Sequence, residues 1–133
     1  MDDGALPGSV AVVGAAATGC QLASVLAAFG ARVRLLEAAP RILGAEDESL
    51  SAGVAEAFGK RGIEISTGRD GVARIEESSG GRRLTYSRNG QESVLEVGAV
   101  IFAGGWPGNA DGLNPSVLGV KVGRDGYVRA DDA

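Results

Sequence analysis

The stretch Ser9-Val10-Ala11-Val12-Val13-Gly14-Ala15-Ala16-Ala17-Thr18-Gly19 reads as a buried strand, a tight turn and the start of a helix. Residues 9–13 are a short apolar run without Pro that stops at Gly14, the pattern of a strand covered on both faces. Beyond the turn, Leu22, Val25, Leu26 and Phe29 fall at i, i+3, i+4 and i+7, which predicts one apolar helix stripe. Gly30 stands where a left-handed C-terminal cap is wanted.

The alternation continues outward from this unit. Residues 31–36 read as a second strand ending at Glu37. Asp47 and Glu48 open a second helix carrying Leu50, Val54, Ala57 and Phe58, and Lys60, Arg61 and Gly62 close it, acid first and base last as the helix dipole favours. A third strand is expected over Ile63–Ile65. Strand, helix, strand, helix, strand is the order of a parallel sheet with crossover helices. The pattern then changes. Residues 72–76, 83–88 and 92–97 look like strands separated by Ser79-Gly80-Gly81 and Asn89-Gly90, the latter a strong hairpin turn. An antiparallel meander therefore replaces a third crossover helix. Ala99–Phe102 resumes the buried-strand character, and Asp125-Gly126 is expected to turn a last hairpin into Tyr127-Val128-Arg129. The expected fold is α/β with three layers: a parallel sheet of about four strands with an antiparallel β-meander as one crossover.

Composition restricts what such a domain can do. A chain of 133 residues makes a single domain, residues 1–133. Its 22 glycines have no fixed period, so they punctuate ordered elements and do not form a low-complexity or collagen repeat. A net charge of −4 and no His remove the usual electrostatic footprint for nucleic acid or an anionic membrane surface. Without His there is no imidazole base, and the single Cys20 allows neither an internal disulfide nor a Cys-ligated metal. Val10–Ala31 carries no charge and has the length of a bilayer span. Gly14, Thr18, Gly19, Gln21 and Ser24 interrupt it, and the acidic start Met1-Asp2-Asp3 lacks a secretory pattern. A soluble, cytoplasmic protein with no catalytic residue of its own is expected.

The functional signal is the first strand-to-helix turn. Gly14-Ala15-Ala16-Ala17-Thr18-Gly19 is G-x-A-x-x-G where the dinucleotide fingerprint is G-x-G-x-x-G. Gly14 would make the tight turn, Gly19 would let the helix lie close to the strand, and the free N–H groups at the helix start would face a pyrophosphate. Glu37 follows 18 residues after Gly19, where a carboxylate accepts hydrogen bonds from an adenosine ribose. No Arg or Lys immediately follows it, which favours NAD over NADP. The plainer readings are a tight connection at the turn and a solvated strand-end carboxylate at Glu37. Cys20 reads either as a thiol activated by the helix dipole or as a small buried apolar residue, the second being the stronger reading. Gln21 is either an exposed helix amide or a partner for a nicotinamide carboxamide.

These residues, with Leu35-Leu36-Glu37, Arg41-Ile42-Leu43 and Glu46-Asp47, resemble the pyridine-nucleotide domain of the flavin-dependent disulfide oxidoreductases, of dihydrolipoamide dehydrogenase or mercuric reductase type. A second match lies at Ala103-Gly104-Gly105-Trp106-Pro107-Gly108-Asn109, followed by Gly112-Leu113-Asn114 and Gly119-Val120, so the likeness spans nearly the whole chain. It implies a Rossmann-like NAD-binding domain excised from a longer flavoprotein, with Met1 added artificially. Gly14, Ala15, Ala16, Ala17, Thr18, Gly19, Gln21, Glu37, Ala103, Gly104 and Gly105 are then the cofactor-binding residues. FAD, redox cysteines and a dimer interface would belong to the missing parts. A Gly-Asp flavin motif would follow soon after Asp131-Asp132. The parent would be a homodimeric oxidoreductase, and the isolated chain inactive.

Four positions depart from the family pattern: Ala16 replaces the middle glycine, Gln21 a common glutamate, and Trp106 and Gly108 the usual Arg and Pro. Trp106 is expected to be an aromatic packing residue. Two other classes compete. A methyltransferase also ends its second strand in a carboxylate, but with a closer-spaced glycine turn and no meander. A stand-alone NAD-sensing or interaction module without turnover would tolerate Ala16.

Overall fold

The computed structural model describes residues 5–130; Met1-Asp2-Asp3 and Asp131-Asp132 lie outside the described residues. The parallel sheet is built from β1 (Ser9–Val13), β2 (Arg32–Leu36), β3 (Glu64–Ser66) and β7 (Ala99–Phe102) in the order β3-β2-β1-β7. Helices α1 (Ala17–Ala28) and α2 (Glu48–Lys60) connect its first three strands. Between β3 and β7 run β4 (Gly71–Ser78), β5 (Gly81–Arg88) and β6 (Gln91–Val97), a separate antiparallel sheet in sequential order. The expected four-strand α/β architecture with a meander crossover is the observed one, and the third strand starts one residue later than expected.

Alternation along β1 explains the three layers. Val10 and Val12 join one core with Cys20 and Ala23 of α1, Phe58 of α2, and Val33 and Leu35 of β2. Ala11 faces the other way, into a second core with Leu36 and with Leu84, Tyr86, Leu95 and Val97 of the meander. Successive strand residues point to opposite faces, so a strand sandwiched between helices and a second sheet must be apolar throughout.

Both helices end alike. Gly30 and Gly62 have φ of +91° and +77°. After α1 the Gly30 N–H donates to Ala27 O and the Ala31 N–H to Leu26 O; after α2 Gly62 and Ile63 donate to Gly59 O and Phe58 O. This paired bonding satisfies the last carbonyls and feeds each helix directly into the next strand. The start of α2 is capped by Asp47, whose Oδ1 accepts from the Ser49 N–H at 2.8 Å and the Ser49 hydroxyl at 2.6 Å.

Three expectations are corrected. The buried face of α1 is not the Leu22, Val25, Leu26, Phe29 stripe: Gly19, Cys20 and Ala23 are buried, while Val25 and Phe29 are exposed. Small residues lie inward because the helix sits close on β1, and bulkier side chains are pushed to its outer surface. In α2, Ser51 and Phe58 are buried, whereas Leu50 and Ala57 are exposed. Ser51 replaces an apolar contact by donating its hydroxyl to the buried Ile42 carbonyl at 2.7 Å. The last hairpin is reduced to one bridge between Val122 and Val128 around a turn at Gly126. Among the described residues no helix is long and apolar enough to cross a membrane.

Candidate functional site

The turn after β1 is defined by how closely three backbone segments meet. Gly14 has φ +101°, and a Cβ on it would lie 2.7 Å from Ala103 O. A Cβ on Gly19 would lie 1.8 Å from Gly14 O. Neither position has room for a side chain, so both glycines do what the spacing predicted: one turns the chain and the other lets α1 start against it. The Gly14 N–H donates to Leu36 O at 2.8 Å, and the Ala103 N–H to Val13 O at 2.7 Å. The turn is thereby fastened to both neighbouring strands at their carboxyl ends, where ligands of open α/β sheets bind.

A cleft of about 820 Å³ opens over this junction. Gly14, Ala16, Ala17, Thr18 and Glu37 line it from one side, and Ala103, Gly104 and Gly105 from the other. Two motifs distant in sequence thus face a single space. No side chain caps α1 and no acidic residue stands in its first turn, so its leading N–H groups are left for a ligand or water. Ala16 precedes the helix in extended backbone, φ −73° and ψ −172°, which any L-residue adopts. Its alanine is therefore a matter of space in the cleft and not of backbone strain.

Glu37 is half-buried and fixed from two directions. Oε2 accepts the Ala15 N–H at 2.5 Å and Oε1 the Ala39 N–H at 2.9 Å. Each carboxylate oxygen has two acceptor sites, so one on each remains for a further donor. The loop that follows is pinned to the same turn. The Leu43 N–H donates to Ala15 O at 2.8 Å, and the Arg41 guanidinium bonds the carbonyls of Leu43, Gly44 and Glu46. The Arg41-Ile42-Leu43 and Glu46-Asp47 matches therefore serve to shape this loop, with Ile42 sunk in the core.

The remaining expected residues fall outside the cleft lining. Ala15 and Gly19 are buried beneath it, acting through backbone alone, and Gln21 is exposed on α1. Cys20 is buried, its thiol donating to Ala15 O at 3.4 Å; burial, with the nearby Glu37 charge, pushes its pKa up, the opposite of an activated thiol. The packing role expected of Trp106 is corrected: it is 86% exposed and lines the cleft mouth, while its carbonyl accepts from the Tyr127 hydroxyl at 2.8 Å. Proline on one side and glycines on the other leave it at the surface with no neighbouring bulk to cover it.

Sequence reasoning missed Leu22, Phe102 and Arg69. Leu22 and Phe102 line the main cleft, and their places one turn into the helix and just before Ala103 would have suggested them. Arg69 lines an adjoining recess of about 260 Å³ that shares Gly14, Glu37 and Gly104 with the cleft. It lies in the connection between β3 and β4, and no local pattern marks it.

Comparison with known proteins identifies relatives of the chain and of its fold. Residues 1–133 match the family described as pyridine nucleotide-disulphide oxidoreductase. Dihydrolipoyl dehydrogenase of Staphylococcus aureus is 33% identical over 127 residues, covering 95% of this chain and 27% of that protein. The enzyme of the same name from Zymomonas mobilis is 35% identical over 127 residues, covering 96% and 27%. Among solved structures, a Cu(II) complex of the HOCl-induced flavoprotein disulfide reductase RclA from Escherichia coli superposes with a TM-score of 0.78 at 26% identity, covering 98% of this chain and 29% of that one. The chain spans about a quarter of the length of the curated relatives it matches.

Proposed function

The chain belongs to the pyridine nucleotide-disulphide oxidoreductase family, and on that premise we propose that it is the NAD(H)-binding domain of an FAD-dependent oxidoreductase whose other domains carry the flavin. The observation that supports this most is that Gly14, Ala16–Thr18 and Glu37 share one cleft with Ala103–Gly105. Bound there, the nicotinamide would supply hydride exchange with a flavin held elsewhere in the longer protein.

The residues present fit a dinucleotide. The uncapped start of α1 offers N–H groups to a pyrophosphate, and this backbone charge works even in an acidic protein. Glu37 keeps one free acceptor site on each oxygen for the two ribose hydroxyls, while the Ala15 and Ala39 N–H groups hold the carboxylate in position. The chain's role is orientation and electrostatics, with no proton or covalent chemistry assigned to its side chains. A soluble, cytoplasmic, homodimeric parent belongs to this reading.

The same carboxylate favours NADH over NADPH. A 2′-phosphate about 4 Å from Glu37 would be repelled by up to about 4 kcal/mol at an effective dielectric of 20. Fluorescence titration of both reduced cofactors with the wild type and Glu37→Gln tests the assignment. NADH is expected to bind more tightly, and Glu37→Gln to narrow the gap. Equal or tighter binding of NADPH by the wild type would remove Glu37 from the ribose site.

A further inference from the structure

Trp106 is the chain's only tryptophan, and it is 86% exposed. Tryptophan is a large ring that is well buried on average, so an uncovered indole calls for a reason. Its backbone is anchored all the same. The Trp106 carbonyl accepts the Tyr127 hydroxyl at 2.8 Å, and two residues on the Gly108 N–H donates to Asp125 O at 2.8 Å. There the backbones of Gly108 and Gly126 lie too close for a side chain on either. The indole is thus an uncovered ring carried on a fastened segment at the mouth of the cleft.

The sheet order decides which half of a dinucleotide this ring would meet. β1 lies between β2 and β7, so the Gly14 turn at its end has Glu37 on the β2 side and residues 102–106 on the β7 side. With the adenosine ribose on Glu37 and the pyrophosphate at the start of α1, the second nucleoside continues to the β7 side. Leu22, Phe102 and Trp106 are the large apolar side chains of the cleft lining. Among the described residues that line the cleft, Glu37 alone carries a charge, so no cation lines this end.

We infer that Trp106 is a specificity residue for the redox state of the nicotinamide, its indole face selecting the oxidised ring over the reduced one. This rests on the proposed nucleotide site and deepens it. The oxidised nicotinamide is a planar pyridinium cation, whereas the reduced ring is neutral. The negative face of an indole attracts a cation laid over it, more strongly than the face of tyrosine or phenylalanine does, and offers a neutral ring stacking alone. A cleft end without a cation of its own leaves that attraction unopposed.

Calorimetric titration of the wild type, Trp106→Phe and Trp106→Leu with NAD+, NADH and ADP-ribose tests this, with circular dichroism confirming that each variant is folded. Trp106→Leu is expected to weaken NAD+ about 2- to 30-fold, to weaken NADH by less, and to leave ADP-ribose, which lacks the nicotinamide, unchanged. Trp106→Phe should fall between the wild type and Trp106→Leu. Because the wild type holds a single tryptophan, its fluorescence reports the same contact without a substitution: NAD+ should quench the indole and ADP-ribose should not. That measurement carries the test if a variant does not fold. The same NAD+ to NADH affinity ratio in the wild type and Trp106→Leu, or an indole emission indifferent to saturating NAD+, overturns the role of Trp106 and leaves the nucleotide site standing. An equal loss of ADP-ribose affinity also overturns it, by placing the indole on the other half of the dinucleotide. A wild type that binds none of the three ligands overturns both proposals.

Discussion

Gly19→Ala and Gly53→Ala are the same change in two helices, and the structure gives them opposite signs. Alanine in place of glycine inside a helix stabilises by about 1 kcal/mol when nothing else changes. At Gly53 nothing lies within 4 Å of the added carbon, so that gain should appear in full. At Gly19 the carbon would sit 1.8 Å from Gly14 O, a backbone atom held by the Leu36 pairing and packed on Ala103. Relief requires α1 to withdraw from the turn by roughly 1 Å, opening the contact that Cys20 and Ala23 make with β1, an overpacking cost of about 3 kcal/mol. Subtracting the helix gain leaves a net loss of about 2 kcal/mol, a large part of a typical 5–15 kcal/mol domain stability. Urea unfolding followed by circular dichroism measures both variants against the wild type. A Gly19→Ala protein as stable as the wild type would refute the close approach of helix and turn on which the cleft depends.

Ala16→Gly should tighten NADH binding by about 5- to 150-fold, the equivalent of removing about 1–3 kcal/mol of overpacking, as read by calorimetric titration. It should also lower stability by about 0.4–1 kcal/mol through unfolded-chain entropy, because the alanine backbone here is already relaxed. Cys20 should resist alkylation by iodoacetamide in the folded protein. Its pKa is raised by burial and then by Glu37, so reaction should begin only above the ordinary thiol range, and denaturant should restore normal reactivity at neutral pH. Rapid labelling of the folded protein near pH 8 would contradict the burial.

The succession of strands and helices along the chain was legible because buried strands next to glycine turns are local patterns, and the Asn89-Gly90 turn follows the same logic, with φ of +51° and +75° meeting the hairpin's demand for two left-handed residues. The inward face of α1 was not. Apolar periodicity rewards large side chains, whereas this face is selected for smallness, and Gly19 and Ala23 carry almost no hydrophobic signal. Glu37 could be found from its distance to the turn, since both lie in one strand-helix-strand unit. Arg69 could not, because it reaches the site through the pairing of β4 with β5 and the packing of Tyr86, neither of which has a counterpart in the sequence around it. Nothing in the sequence around Trp106 separates a packed aromatic from an exposed one, and Gly104-Gly105 before it and Pro107 after it supply no bulk to cover it.

The position of β7 has a kinetic consequence. Its entry point, Gly98, bonds Ser9 across 89 residues, and Ala103 closes on Gly14 only after the strand is seated. The meander hairpins, being local, are free to form within microseconds of their synthesis, about 1–10 μs each. The parallel pairing of β1 with β7 carries the largest loop-closure cost in the fold and belongs to the slow part of the reaction. On a ribosome, a nascent chain emerging only as far as β6 would expose the Gly14 turn with one wall missing. Competence to hold a ligand would therefore switch on at the final strand, and a ligand that bridges Glu37 and Gly104 would act as a latch across the seam that closes last.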